Sequence, residues 1–369
     1  MSKKSLTKCC DITTGKLDSN AAEANGAYPY FTCAPEPLRI NSYAFDDDVI
    51  ILAGNNASGN FHCQRFKGKF NAYQRTYVIT AKPGFDIDYI FYNILISLTH
   101  LKKISQGSQT KFLTMKMLDS FMVEEMDIDS QKKLVKALKD ADLLKACLKE
   151  TNIEIDKMLA VLYKKQFLQY NSFPDEISTK RKMIFNKDFE ATLPNGWSLS
   201  TIGDILIENE KSPVQVNQAA KSDGDIPFFT SGDDIYYVES PLVDGANMFL
   251  STGGNAVVNI YYGKASYSTD TWSISAGNLT FYLYFFLKSI LERIDDYFFT
   301  GSGLEHLQKD QFKEIKIVIP PDNVIDDFNK VSEQAFIKMT HNLQFIHKIE
   351  ILNSFLLPLV MDDRIKVRD

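Results

Sequence analysis

Gly68-Lys-Phe-Asn-Ala-Tyr-Gln-Arg-Thr-Tyr-Val-Ile-Thr has a second copy later in the same chain, Gly263-Lys-Ala-Ser-Tyr-Ser-Thr-Asp-Thr-Trp-Ser-Ile-Ser. Each runs from a glycine turn signal into a β-branched and aromatic stretch, the composition of a turn leading into a strand. Outward from this pair, three more matches fall in the same order. Ser5-Leu-Thr-Lys-Cys-Cys-Asp-Ile aligns with Ser198-Leu-Ser-Thr-Ile-Gly-Asp-Ile, and Tyr28-Pro-Tyr-Phe-Thr with Ile226-Pro-Phe-Phe-Thr. Ala53-Gly-Asn-Asn-Ala aligns with Thr252-Gly-Gly-Asn-Ala, each closing an apolar, strand-like run (49–52 and 248–250). Any one match is weak. Four in order at a nearly constant offset read as one plan used twice.

The repeat continues into helices. After Asp129 neither Gly nor Pro occurs until Pro174, which permits a helix of about forty residues. Leu134, Ala141, Leu148, Ile155 and Leu162 recur every seven residues, and the second copy places Phe328, Ala335, Asn342, Ile349 and Leu356 in the same register after Pro320-Pro321. Apolar seams of period seven indicate coiled-coil pairing of the two helices; separate packing of each on its own domain is the alternative. Forty residues would span roughly 60 Å, and consecutive helices normally return antiparallel. The expected fold class is therefore α+β: two mixed α/β domains separated by two long antiparallel coiled-coil helices, with an internal pseudo-two-fold repeat. The expected boundaries are 1–120 for the first domain, 121–172 for the first long helix, 173–322 for the second domain and 323–369 for the second long helix.

Composition narrows the class. The chain has 369 residues, 41 Lys+Arg against 47 Asp+Glu for a net charge of −6, 44% apolar and 24% charged residues. Those values exclude global disorder and fibrous repeats, and the length supports two cores without staples. The N-terminal Met1-Ser-Lys-Lys-Ser-Leu is charged but is followed by no apolar stretch, so no secretory signal is expected. The apolar run 281–287 is far too short to span a bilayer, so no membrane partner is expected. Five cysteines (Cys9, Cys10, Cys33, Cys63, Cys147) without framework spacing fit a cytoplasmic protein. Four of them, with His62, fall in the first 63 residues, which makes zinc conceivable, but no Cys-x-x-Cys pair occurs; small buried thiols and no metal are the expectation.

Two similar heads related by an internal two-fold suit a ligand with two sites at fixed spacing, and double-stranded DNA is the common one. Local charge tests this. Between positions 60 and 116 stand nine basic residues (Arg65, Lys67, Lys69, Arg75, Lys82, Lys102, Lys103, Lys111, Lys116) against Asp86 and Asp88. Aromatic and amide side chains interleave there, and Arg reads guanine edges as Asn or Gln read adenine. The DNA-facing candidates in the first copy are Asn55, Asn56, Lys67, Lys69, Asn71, Tyr73, Gln74, Arg75 and Lys111. In the second copy they are Asn255, Lys264, Tyr267, Lys309 and Lys313, although 193–321 carries eight bases against sixteen acids. The plain alternative is that Gly68-Lys-Phe and Gly263-Lys-Ala are only turns joining strands. A scaffold whose heads grip protein and never touch DNA is the alternative at the level of function.

Leu193-Pro-Asn-Gly-Trp-Ser-Leu-Ser-Thr-Ile-Gly-Asp-Ile is similar to the segment that opens target-recognition domains in the specificity subunits of type I restriction–modification systems. Ile226-Pro-Phe-Phe-Thr, Ser251-Thr-Gly-Gly-Asn, Thr269-Asp-Thr-Trp and Gly301-Ser-Gly-Leu-Glu-His-Leu, followed by Ile315-Lys-Ile-Val-Ile-Pro-Pro, resemble landmarks of that family in family order. The first copy matches more loosely; it lacks the Leu-Pro-x-Gly-Trp opening but keeps Tyr28-Pro-Tyr-Phe-Thr and Gly107-Ser-Gln-Thr-Lys-Phe-Leu. The resemblance covers nearly the whole chain. It implies a non-catalytic subunit that binds a bipartite duplex sequence, each target-recognition domain reading one half and the helical rods setting the spacer. Implied partners are two modification (methyltransferase) subunits, which carry S-adenosylmethionine, and restriction (motor-nuclease) subunits; the chain itself would hold no cofactor.

The residues carry no enzyme signature of their own. No Asn-Pro-Pro-Tyr or Asp-Pro-Pro-Tyr strand end occurs, and Thr252-Gly-Gly-Asn lacks the spacing of a dinucleotide or phosphate loop. Glu314-Ile-Lys has the Glu-x-Lys form of metal-dependent nucleases without a Pro-Asp at a suitable distance before it. The five histidines (His62, His100, His306, His341, His347) form no helical ligand pair, and no nucleophile elbow is present.

Overall fold

The computed structural model describes residues 3–57, 59–107, 110–168, 183–186, 191–301, 303 and 305–361. The expected boundary at 172/173 and parts of Gly107-Ser-Gln and Gly301-Ser-Gly-Leu lie outside them. The chain divides into two compact units, Met1–Lys145 with Lys348–Asp369, and Ala146–His347. Both divisions fall inside the long helices, so each unit is one mixed domain together with a portion of each helix.

In the first unit, β1 (Lys3–Ser5), α1 (Leu6–Cys9), β2 (Cys10–Thr14), β3 (Tyr28–Phe31) and β4 (Leu38–Ile40) precede the long strand β5 (Phe45–Ala53). Then come β6 (Asn55–Asn56), β7 (Cys63–Ala72), β8 (Thr76–Ala81), α2 (Ile87–Ile104), β9 (Lys111–Phe112), α3 (Met115–Ser120), β10 (Met122–Glu124) and α4 (Ile128–Tyr163). The main sheet has the order β2-β8-β5-β7-β3-β4, with β3 and β7 parallel. Strand β5 shows why the sheet forms. Val49 and Ile51 pack on one face with Phe31, Phe70 and Val78, while Ile50 and Leu52 pack on the other with Tyr89, Ile90 and Leu134. A strand buried on both faces reads as a continuous apolar run, as 49–52 does. Helix α2 starts where the Asp86 carboxylate accepts from the N–H groups of Asp88 and Tyr89.

The second unit repeats the order. After a hairpin of β11 (Met183–Asn186) and β12 (Ala191–Pro194) come β13 (Ser198–Thr201), α5 (Ile202–Ile205), β14 (Ile207–Glu208), α6 (Val216–Ala219), β15 (Ile226–Phe229) and β16 (Ile235–Val238). They lead to β17 (Ala246–Ser251), β18 (Val258–Tyr262), β19 (Ser266–Tyr267), β20 (Thr271–Ser275), α7 (Thr280–Ser289) and α8 (Leu291–Phe298). β21 (Phe299–Thr300), β22 (His306–Leu307), α9 (Lys309–Lys313), β23 (Lys316–Ile319) and α10 (Asp322–Met361) complete the unit and the second long helix. β17 lies between β20 and β18 as β5 lies between β8 and β7. Gly68 (φ +129°) and Gly263 (φ +132°) bend the equivalent strand in each copy. Past that bend the chain pairs in parallel with Phe31 in one domain and Phe229 in the other. Positive φ at both points is the physical reason for the shared glycine. At the N-terminal match the structure corrects the sequence register: Leu6 opens α1 and Ile202, not Leu199, opens α5, both side chains buried.

Both long helices form, and within the second unit they pair antiparallel. Asn342 Nδ2 donates to Asn152 Oδ1 at 2.7 Å, Asn152 Nδ2 to Met339 O at 3.1 Å, and Gln166 Nε2 to Val324 O at 2.9 Å. The regular helix ends at Tyr163, and a π-helical turn, Lys164–Leu168, follows. The two expected packing modes coexist there. Ile155, Leu162, Phe328 and Ala335 belong to or flank the second domain's core, as do Leu159, Tyr163, Phe167 and Phe336. Leu134 packs instead into the first domain's core; Ala141 and Leu148 are half-buried and Ile349 is buried. The side chain of Leu356 lies outside those described. The seam also has a companion position, four residues after each member of the 134 series, holding Leu138, Lys145, Asn152, Leu159 and Gln166. Its polar members hide it from a search for apolar residues.

All five cysteines are free, and burial pushes the Cys10 thiol up to about 12. Among the described residues no group of three or more His, Cys, Asp or Glu could hold a metal ion. No described helix is long and apolar enough to cross a membrane.

Candidate nucleic-acid interface

Three loops meet at one edge of the first domain's sheet, and peptide groups hold them. Tyr73 N–H donates to Phe31 O at 2.9 Å, and Thr76 N–H closes the turn on Tyr73 O at 2.8 Å. Gly54 N–H donates to Arg75 O at 2.9 Å, Leu113 N–H donates to Gly54 O at 2.8 Å, and the Cys33 thiol reaches Arg75 O at 3.5 Å. The turn is therefore fixed through its carbonyls while the side chains of Gln74 and Arg75 stay exposed. Pairing of β6 with β9 (Asn55↔Phe112, Asn56↔Lys111) sets Asn55, Asn56 and Lys111 at the same edge.

Two residues absent from the sequence candidates join this edge. A Cβ on Gly59 (φ +75°) would come within 3.1 Å of Lys102 Cγ and 3.3 Å of Lys111 Cγ, so the two lysine stems flank one glycine. Lys102 Nζ donates to Asn60 Oδ1 at 2.6 Å, and Asn60 N–H to Asn56 Oδ1 at 3.0 Å. Lys102 comes from the last turn of α2, and only the folded chain brings it here.

Other candidates fall elsewhere. Asn71 is buried and donates to Ser42 Oγ at 3.3 Å, so its amide serves the interior. Tyr73 is half-buried. Lys67 and Lys69 lie along β7 directly opposite Asp48 and Asp46; Lys67 Nζ is 3.7 Å from Asp48, and Lys69 stands 4.6 Å over the Tyr43 ring. Arg65 is committed to Asp88 at 2.7 Å, to Asp48 and to Val49 O. The basic excess counted along the chain is therefore reduced in space, because Asp46, Asp47 and Asp48 precede the counted window and pair against it.

The second domain has the same frame. Ser268 N–H donates to Phe229 O at 2.9 Å and Thr271 N–H to Ser268 O at 3.1 Å. Thr252 N–H donates to Asp270 O at 3.1 Å, Leu307 N–H donates to Thr252 O at 3.1 Å, and the Ser231 hydroxyl donates to Asp270 O. Beside it is an open concavity of about 460 Å³ lined by Ser231, Asp234, Tyr236, Thr252, Asp270 and His306, among others. Of the candidates, Asn255 and Lys264 are exposed on turns. Tyr267 is a core residue: it is 2% exposed, its hydroxyl donates to Glu210 O, and burial raises its pKa. Lys313 is bound to Glu208 at 2.5 Å, which holds that carboxylate below its ordinary range. Lys309 stands 4.4 Å over Trp272, and burial depresses its pKa. Those two lysines support Trp272 more than they offer free charge.

Comparison with known proteins agrees with the duplicated plan. A family profile described as the type I restriction modification DNA specificity domain matches residues 1–157 and 194–332. The type I restriction enzyme EcoDI specificity subunit of Escherichia coli is 29% identical over 229 residues, 57% of this chain and half of that relative's length. The MjaIX specificity subunit of Methanocaldococcus jannaschii is 22% identical over 316 residues, 79% of this chain and 72% of its own. The crystal structure of a type I restriction–modification S subunit from M. genitalium shares the fold, with a TM-score of 0.59 at 14% identity over 96% of this chain and 94% of that one. The chain belongs to the type I restriction–modification specificity family.

Proposed function

We propose that the chain is the non-catalytic DNA-reading subunit of a type I restriction–modification complex in the cytoplasm. Each domain reads one half of a bipartite duplex sequence through its loop edge. The long helices set the spacer and dock two methyltransferase subunits, which supply S-adenosylmethionine, and restriction subunits join the assembly. The observation that carries this reading is one backbone frame built twice with different exposed side chains, an arrangement suited to two half-sites of different sequence. In the first domain Arg75, Gln74, Asn55 and Asn56 supply the groups that read base edges, and Lys102 and Lys111 supply phosphate contacts.

The test is a methylation map of cells carrying the system, with salt-dependent duplex binding by the complex. A single bipartite motif, lost when this chain is deleted, is the expected result. The acidic second domain favours one other reading, a protein-gripping scaffold. Absence of duplex binding at low salt with methyltransferase subunits present would establish that reading in place of ours.

A further inference from the structure

The two loop frames can be matched bond for bond, and the match assigns side chains to one another without any sequence alignment. Gly54 corresponds to Thr252, Arg75 to Asp270, Leu113 to Leu307 and Cys33 to Ser231, because each pair makes the same frame bond. Stepping back two residues from the matched leucines, Lys111 corresponds to Glu305, whose carbonyl accepts from Gly254 N–H at 3.0 Å. The edge thus keeps its geometry and inverts its charge: Arg75 and Lys111 in one domain, Asp270 and Glu305 in the other. Asp270 and Glu305 are both exposed, and Asp270 opens onto the concavity of the second domain.

We infer that Asp270 is the specificity-determining residue of the second domain and that it reads the exocyclic amino group of a cytosine. This rests on the proposed DNA-reading role. At the frame position where Arg75 offers donors suited to guanine O6 and N7, Asp270 offers only acceptors. In the major groove cytosine presents its N4 amino donor, whereas adenine places the N7 acceptor beside its N6 donor. A carboxylate facing adenine would meet the N7 lone pair, so cytosine is the better partner. An acidic side chain at this edge thus serves a base rather than a phosphate, and phosphate attraction falls to basic groups elsewhere in the complex.

The experiment uses the complex of the full chain with its methyltransferase subunits on a duplex library randomised around the wild-type bipartite site. Asp270→Asn should leave the first half-site and the spacer unchanged. At one position of the second half-site, the preference for cytosine should fall about tenfold or more, with adenine newly accepted. Asp270→Arg should move that same position toward guanine. Only the Asp270 carbonyl joins the frame, so both variants keep the fold. An unchanged second half-site in both variants overturns the inference, as does a uniform loss at every position. A wild-type complex that methylates no bipartite sequence overturns the underlying reading itself.

Discussion

Arg75 and Gln74 occupy a turn whose peptide groups are already bonded to Gly54, Phe31 and their own neighbours, so truncating both side chains removes readout without disturbing support. The double variant Gln74→Ala/Arg75→Ala is expected to relax one or two positions of a single half-site by about 1–3 kcal/mol each and to leave the other half-site intact, as read from methylation of a mismatch panel. Equal weakening on every sequence would assign the pair to phosphate contact. Much of this edge was legible in the sequence: Asn55 and Asn56 follow Gly54, Lys111 follows the Gly107 turn, Gln74 and Arg75 lie in the amide-rich run after Gly68, and the fold brings them to one edge. Asn71 and Tyr267 show where that reading ended. Both lie in runs buried on consecutive residues, 70–72 and 265–268, where the chain pairs in parallel with the strand of Phe31 or of Phe229, and polar composition does not reveal burial on both faces. Asp270, Glu305 and His306 carry no such signal, because acidic and neutral side chains on a loop have the composition of ordinary solvated surface.

At the scale of the element, the helix seam contains an amide pair, Asn342 buried and Asn152 half-buried, where leucines would pack. Asn342 is 2% exposed, and its Nδ2 donates to Asn152 Oδ1. A polar residue at a core seam position fixes register at some cost in stability. Asn342→Leu alone is expected to lower stability by roughly 1–3 kcal/mol in denaturant unfolding, since Asn152 Oδ1 then loses its donor. Replacing both asparagines with leucine is expected to recover that loss while admitting alternative registers, visible as heterogeneous cross-linking between cysteines placed along the two helices. Recovery with a single register would mean that the aromatic packing around Tyr163, Phe328 and Phe336 fixes the alignment unaided. The period-seven pattern revealed the helices and one seam position. The companion position escaped because Lys145, Asn152 and Gln166 are polar, and polarity is what makes them informative about register.

For the whole molecule, the expected geometry turns on the long helices. Deleting one heptad from each, 148–154 and 342–348, removes Asn152 and Asn342 together and keeps the seams in phase. The preferred spacer is then expected to shorten by about three base pairs, since seven helical residues rise about 10 Å and duplex DNA about 3.4 Å per base pair. A methylation map with the original spacer would show that the helices do not set it. The net charge of −6 gave no warning of such a division of labour. Summed over the chain it hides a first domain whose loop edge is basic and a second whose matching edge is acidic. Except for the contacts of the Cys33, Ser231 and Thr252 side chains, the bonds of the two frames run between peptide groups, which every amino acid but proline supplies in full. Such a reader is separable into grammar and vocabulary. On the proposed reading, a new target is reachable one substitution at a time, each step remaining folded, so the address is free to drift while the machinery that reads it stays the same.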